Sequence, residues 1–180
     1  MPHRKTRKRF EHPNELRFLP FSCYRRLQLF NRPAIRDRFV EHLGAVQQAT
    51  RFELFAWVVM PEHVHLLIVP NLPDEPVSRV LEQLQGPFAK QVLARWRELD
   101  APILQRLVDA TGRHHFWQAG GGYDRNIFTS RESQEKFHYI HNNPVSRGLV
   151  DRAVDWRWSS ARWYADGTDD WPVIMSPDWV

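Results

Sequence analysis

The strongest constraint in this chain is a pair of apolar, β-branched runs, residues 55–60 (FAWVVM) and 63–69 (HVHLLIV), separated only by Pro61 and Glu62. Runs of this composition on so short a link predict a tight antiparallel hairpin or a closely bent pair of strands. The rest of the fold has to be arranged around that pair. Residues 17–29 carry Phe18, Leu19, Phe21, Tyr24, Leu27 and Leu29 among basic side chains and read as a first strand. Asn31 and Pro33 announce a helix whose buried face is Ile35, Phe39, Leu43 and Val46, spaced by four, four and three. A second long helix follows from Val77, Leu81, Leu84, Phe88, Val92 and Trp96, with Gly86 and Pro87 expected to kink or split it.

Further along, residues 116–118 read as a short aromatic strand and Gly120, Gly121 and Gly122 as a flexible joint. Thr129 with Glu132 three residues later is a capping-box signature, so a third helix should run from there to Pro144. The Trp-rich remainder from Leu149 reads as irregular structure wrapped on the core. Helices interleaved with strand pairs predict an α+β fold, a ferredoxin-like sandwich with a mostly antiparallel central sheet and helices packed on it.

Composition narrows the setting. A chain of 180 residues buries a real core without staples, which excludes disorder of the whole. Cys23 is the single cysteine, so neither an internal disulfide nor a cysteine zinc site is available, as expected of a cytoplasmic protein. No apolar run is long enough for a membrane span, and no apolar segment follows the basic start as a secretory signal would require. The formal net charge is +4, unevenly spread. Arg4, Lys5, Arg7, Lys8 and Arg9 make residues 1–16 a basic, flexible arm suited to a polyanion, whereas residues 165–180 form an acidic tail.

Two short patterns carry chemistry. His63 and His65 flank Val64 on a predicted strand, where alternate side chains share a face, so both imidazoles are presented together and can share one divalent metal. Val64, Leu66 and Ile68 then face the other way and pack under a helix. Tyr139 and Asn143 lie one turn apart on the third helix, where the phenol could serve as nucleophile and the carboxamide oxygen as third metal ligand. Each pattern alone has an ordinary structural explanation, a core-edge tyrosine or a capping asparagine. Together they fit one reaction. A phenol with an ordinary pKa of about 10 is a weak nucleophile and needs an activated electrophile. A metal on a non-bridging oxygen of a phosphodiester, held by His63, His65 and Asn143, would supply one and leave a phosphotyrosine link with a released hydroxyl.

The stretches 56–67 (AWVVMPEHVHLL), 139–150 (YIHNNPVSRGLV) and 155–160 (DWRWSS) resemble the REP-associated tyrosine transposases, relatives of the single-tyrosine HUH transposases of small bacterial insertion sequences. The likeness runs from Phe18 to Tyr164, which makes residues 17–164 a catalytic domain of that kind. It implies metal-dependent cleavage and joining of single-stranded DNA near hairpins of repetitive extragenic palindromes, with Mg²⁺ or Mn²⁺ as cofactor. Carried over residue by residue, His63 and His65 bind the metal, Tyr139 attacks the DNA and Asn143 completes the metal site.

Candidate DNA contacts are Arg4, Lys5, Arg7, Lys8 and Arg9 of the arm, Lys90 and Arg95 on the second helix, and Arg125 beside the glycine joint. Trp117, Trp156, Trp158 and Trp163 serve either as stacking faces for unpaired bases or as core. Tyr123 is the rival nucleophile, Glu62 is either a partner of His63 or a turn residue, and either His138 or His141 could turn toward the site. Two other functions use the same residues: a structured-nucleic-acid binder without cleavage, and a metal-dependent hydrolase whose nucleophile is water. The joint at 120–122 permits a site built within a monomer or shared across a homodimer.

Overall fold

The computed structural model describes residues 13–120, 125–168 and 170–176. The basic cluster Arg4 to Arg9, together with Gly121, Gly122 and Tyr123, lies outside them. Strands β1 (Leu16–Ser22), β2 (Glu53–Val59), β3 (His63–Val69) and β4 (Arg125–Ile127) form one sheet in the order β2-β3-β1-β4. Every pairing is antiparallel. Helix α1 (Pro33–Thr50) carries the chain from β1 to β2, and α2 (Val77–Glu98) with the short α3 (Leu104–Leu107) carries it from β3 to β4. Two crossovers, each skipping a strand that runs the other way, make the ferredoxin-like α+β arrangement expected from the pattern.

Alternation along the strands decides what lies on each face. Leu19 and Phe21 of β1 and Val64, Leu66 and Ile68 of β3 pack with Phe39, Leu43, Leu84 and Phe88 of α1 and α2. Leu16, Phe18, Leu67 and Val69 point the other way, where Ile140 of α4 (Ser130–Ser146) and Trp156 cover them. His63 and His65 share the phase of Leu67 and Val69 and therefore emerge on the α4 side.

Several elements differ from expectation, each for a local reason. The first strand stops at Ser22, because Arg25 and Arg26 both take left-handed backbone angles (φ 51° and 53°) in a 3₁₀ turn over Tyr24–Arg26. Residues 116–118 contribute only an isolated bridge, Cys23 to Trp117, and the fourth strand is Arg125–Ile127. Helix α2 is not split at Pro87. The carbonyl that Pro87 leaves without a helical donor is that of Gln83, and the Nε2 of His42 on α1 meets it at 3.0 Å. Helix α4 likewise runs through Pro144 and stops at Gly148, whose φ of 65° closes a Schellman turn: Gly148 N–H donates to Val145 and Leu149 N–H to Pro144.

The C-terminal region is more ordered than an irregular wrap. It includes a helix, α5 (Ala161–Asp166), and it covers the outer edge of β2. Val59 N–H donates to Trp158 O, Trp57 and Ser160 exchange backbone and hydroxyl bonds, and Ser176 N–H donates to Leu54 O. Within the acidic segment, residues 171–176 dock on α1: Gln47 bonds Ile174 through both its amide atoms at 2.7 and 2.8 Å. Gly44 is required there, since a Cβ would sit 2.1 Å from the Pro172 carbonyl oxygen.

Candidate active site

The register of β1 against β3 sets Ser22 opposite His63 and Pro20 opposite His65. The two imidazole centroids are 4.5 Å apart, so the pair expected from strand alternation is presented as one unit. Above it lies α4, fixed at its start by the Thr129 side chain, which accepts from Glu132 N–H, while Glu132 accepts in return from Phe128 N–H. Farther along, the helix is held to the sheet edge by His141, whose Nε2 meets Ser160 Oγ at 2.7 Å. That anchoring turns Tyr139 and Asn143 toward the histidines. The Tyr139 ring lies 5.3 Å from that of His65 and meets Phe18 edge-on at 6.1 Å.

His63, His65, Tyr139 and Asn143 line one cleft of about 250 Å³, together with Pro20, Ser22, Arg26, Ser146 and Arg147. Tyr139 is 48% exposed, whereas His63, His65 and Asn143 are each below 10%. Burial holds both imidazoles below their ordinary pKa, His65 most strongly, with the positive charges of Lys136 and Arg26 adding to the effect at His65. Neutral rings are the form that binds a cation. Neither ring nitrogen of His65 nor Oδ1 of Asn143 has a hydrogen-bond partner, although all three atoms are buried. Such atoms cost about 1–3 kcal/mol each when left unsatisfied. A cation held by His63, His65 and the Asn143 oxygen would take up the Asn143 oxygen and the one His65 nitrogen that carries a lone pair, so the residues present fit the group. Among the described residues no three His, Cys, Asp or Glu side chains form a metal cluster. The donor set is therefore two imidazoles and a carboxamide, which suits a cation with positions left over for phosphate and water.

The remaining expected residues fall in different places. Lys90 and Arg95 are exposed on α2, across the sheet from the cleft, and Arg95 pairs with Glu98 at 3.0 Å. Arg125 on β4 pairs with Glu132 at 2.7 Å. None of the three lines the cleft. Trp117 and Trp156 are buried, with their indole N–H groups bonded to Gln85 O and Val59 O. Trp158 and Trp163 are partly buried against the core, and Arg36 lies 3.8 Å above the Trp158 ring. His141 faces Ser160, Phe137 and Tyr164, and His138 is exposed. Neither joins the pair.

Three residues near the site, Lys136, Arg147 and Arg26, were not among the expected ligands or contacts, and a fourth, Glu62, reads from the sequence as either a partner of His63 or a turn residue. Lys136 places its ammonium 4.9 Å from the Phe18 ring and 5.3 Å from that of Tyr139. Arg147 lies one turn beyond Asn143, so helical spacing from Tyr139 would have found both cations. Arg26 reaches the cleft only because of the left-handed turn, which no pattern announced. Glu62 is 4% exposed and bonded to His63, so it is a partner of that ring and not simply a turn residue.

Residues 17–143 match the family described as IS200-like transposase. The chain is 29% identical over 115 residues to a REP-associated tyrosine transposase of Escherichia coli strain K12, covering 64% of this chain and 58% of the relative. It is 25% identical over 109 residues, 61% of this chain, to a provisionally named protein of the same type from Haemophilus influenzae, of which it again covers 58%. The chain thus spans less than two thirds of the length of the curated relatives it matches. A solved structure of a REP-associated tyrosine transposase bound to a REP hairpin superposes with a TM-score of 0.66 at 22% identity, over 91% of this chain and 87% of that one. The fold is shared.

Proposed function

The chain belongs to the IS200-like transposase family, and from that premise we propose that it cleaves and rejoins single-stranded DNA beside REP-type hairpins through a covalent phosphotyrosine intermediate. One observation carries the reading: the half-exposed Tyr139 opens on the same cleft as two buried side chains with partnerless polar atoms, the His65 ring and Oδ1 of Asn143, each of which can give one atom to a cation.

In this mechanism His63, His65 and Asn143 would hold Mg²⁺ or Mn²⁺, which would supply Lewis-acid neutralisation of the charge on the scissile phosphate. Tyr139 forms the Oη–phosphorus bond as its phenol proton passes to solvent and the ester bond to the leaving oxygen breaks, that oxygen taking up a proton from solvent to become the released hydroxyl, and the ester energy is retained for rejoining. Phe18 and His65 fix the plane of its ring, while half-exposure leaves the hydroxyl open to a strand entering from solvent. Arg26 and Arg147 on the walls, with Lys136 beside the tyrosine, favour phosphates on both sides of the cleft. Positioning and charge together supply the rate acceleration.

The test is a denaturing gel of the protein with end-labelled single-stranded oligonucleotides carrying REP-type hairpins, in Mn²⁺ or EDTA. The expected result is a Mn²⁺-dependent protein–DNA band that disappears in Tyr139→Phe. Cleavage that persists in Tyr139→Phe without a covalent band would overturn the tyrosine reading in favour of a water-activating hydrolase. Tight binding with no cleavage by the wild type would mean a hairpin-binding protein instead.

A further inference from the structure

We infer that Glu62 is a positioning residue for the reaction: its carboxylate sets which nitrogen of His63 carries the proton and pins the end of the tyrosine helix to the histidine strand. The inference rests on the metal-site reading above. Glu62 sits in the link between β2 and β3 and is buried. A single oxygen, Oε1, meets Nδ1 of His63 at 3.1 Å and a guanidinium nitrogen of Arg147 at 2.9 Å. An ionised carboxylate only accepts, so Nδ1 of His63 is the protonated nitrogen and Nε2 keeps the lone pair that a cation needs.

The position of the carboxylate is itself fixed. Backbone bonds hold the link from three segments: Met60 N–H to His63 O at 2.8 Å, Cys23 N–H to Glu62 O at 2.9 Å and Phe30 N–H to Pro61 O at 2.9 Å. Arg147, on the other side of Oε1, caps α4 one turn after Asn143 and two turns after Tyr139. One oxygen therefore joins the strand that presents the imidazoles to the helix that presents the nucleophile. Both contacts run through Oε1, while Oε2 is buried without a hydrogen-bond partner.

The experiment reads the histidine ring nitrogens by ¹⁵N NMR on the full chain without metal, and Mn²⁺ affinity separately by electron paramagnetic resonance. Wild type is expected to show His63 in the Nδ1–H form. Glu62→Gln, whose carboxamide oxygen still accepts, keeps that form. Glu62→Ala shifts the ring toward a mixture and weakens Mn²⁺ binding about 10- to 100-fold. An Nε2–H form of His63 in wild type overturns the inference without recourse to any variant, so an Ala variant that fails to fold leaves it testable. A folded Glu62→Ala that retains both the Nδ1–H form and wild-type Mn²⁺ affinity overturns it as well. If wild type shows the Nδ1–H form, lost in Glu62→Ala, yet binds no Mn²⁺, the role of Glu62 stands and the metal-site reading fails.

Discussion

At His65 the demands of folding and of chemistry oppose each other. Its ring is buried, stacked on Phe18 at a centroid distance of 5.3 Å, and both nitrogens lack partners. An apolar side chain there would fill the same space without that penalty. His65→Leu is therefore expected to leave thermal stability unchanged or raise it, by up to about 1–3 kcal/mol, while abolishing Mn²⁺ binding. Denaturant titration beside Mn²⁺ titration checks this, and a large loss of stability would mean that His65 is satisfied by something other than a cation. The pairing of His63 with His65, and of Tyr139 with Asn143, was legible because strand and helix periodicity are local. For Glu62 the sequence leaves a partner of His63 and a turn residue both open, and its link to Arg147 was not legible, since that residue is remote in sequence and only the folded chain brings it there.

Helix α4 is the element on which the site depends, and its two attachments behave differently with pH. The Thr129 cap was readable from the capping-box spacing, and Thr129→Ala should cost about 1 kcal/mol by denaturant titration. The bond from His141 to Ser160 could not be foreseen, because it joins the helix to a tail segment whose path along β2 is a tertiary matter. Burial, assisted by the nearby charge of His138, pushes His141 down to about 4 from its ordinary 6.5. Between those values the unfolded chain takes up a proton that the folded one refuses. Its contribution to stability is thus complete above about pH 6.5 and is lost as pH falls toward 4. Denaturation midpoints at pH 7 and pH 5 should differ in that direction, with a smaller difference in His141→Asn; an equal difference in both would assign the acid sensitivity elsewhere. The unbroken α2 has the same lesson, as the donor that rescues Pro87 comes from His42 on another helix.

For the molecule as a whole, a single chain supplies both imidazoles, the tyrosine and the asparagine to one cleft. Mixing Tyr139→Phe with His65→Leu should consequently restore no protein–DNA adduct, whereas recovered adduct on the same gel would show that subunits exchange the tyrosine helix. The sheet order was foreseeable from alternating helices and strand pairs. The fourth strand was misplaced because its three residues, Arg125–Ile127, carry too little periodicity to detect.

Among the described residues neither rim of that sheet offers a long free edge. On one side residues 158–160 and 175–176 occupy the hydrogen-bonding groups of β2, and on the other β4 is too short to serve as a template. Pairing of two such sheets edge to edge is thereby blocked at β2, and the block rests on Gly44, the residue whose missing side chain lets the closing strap lie down.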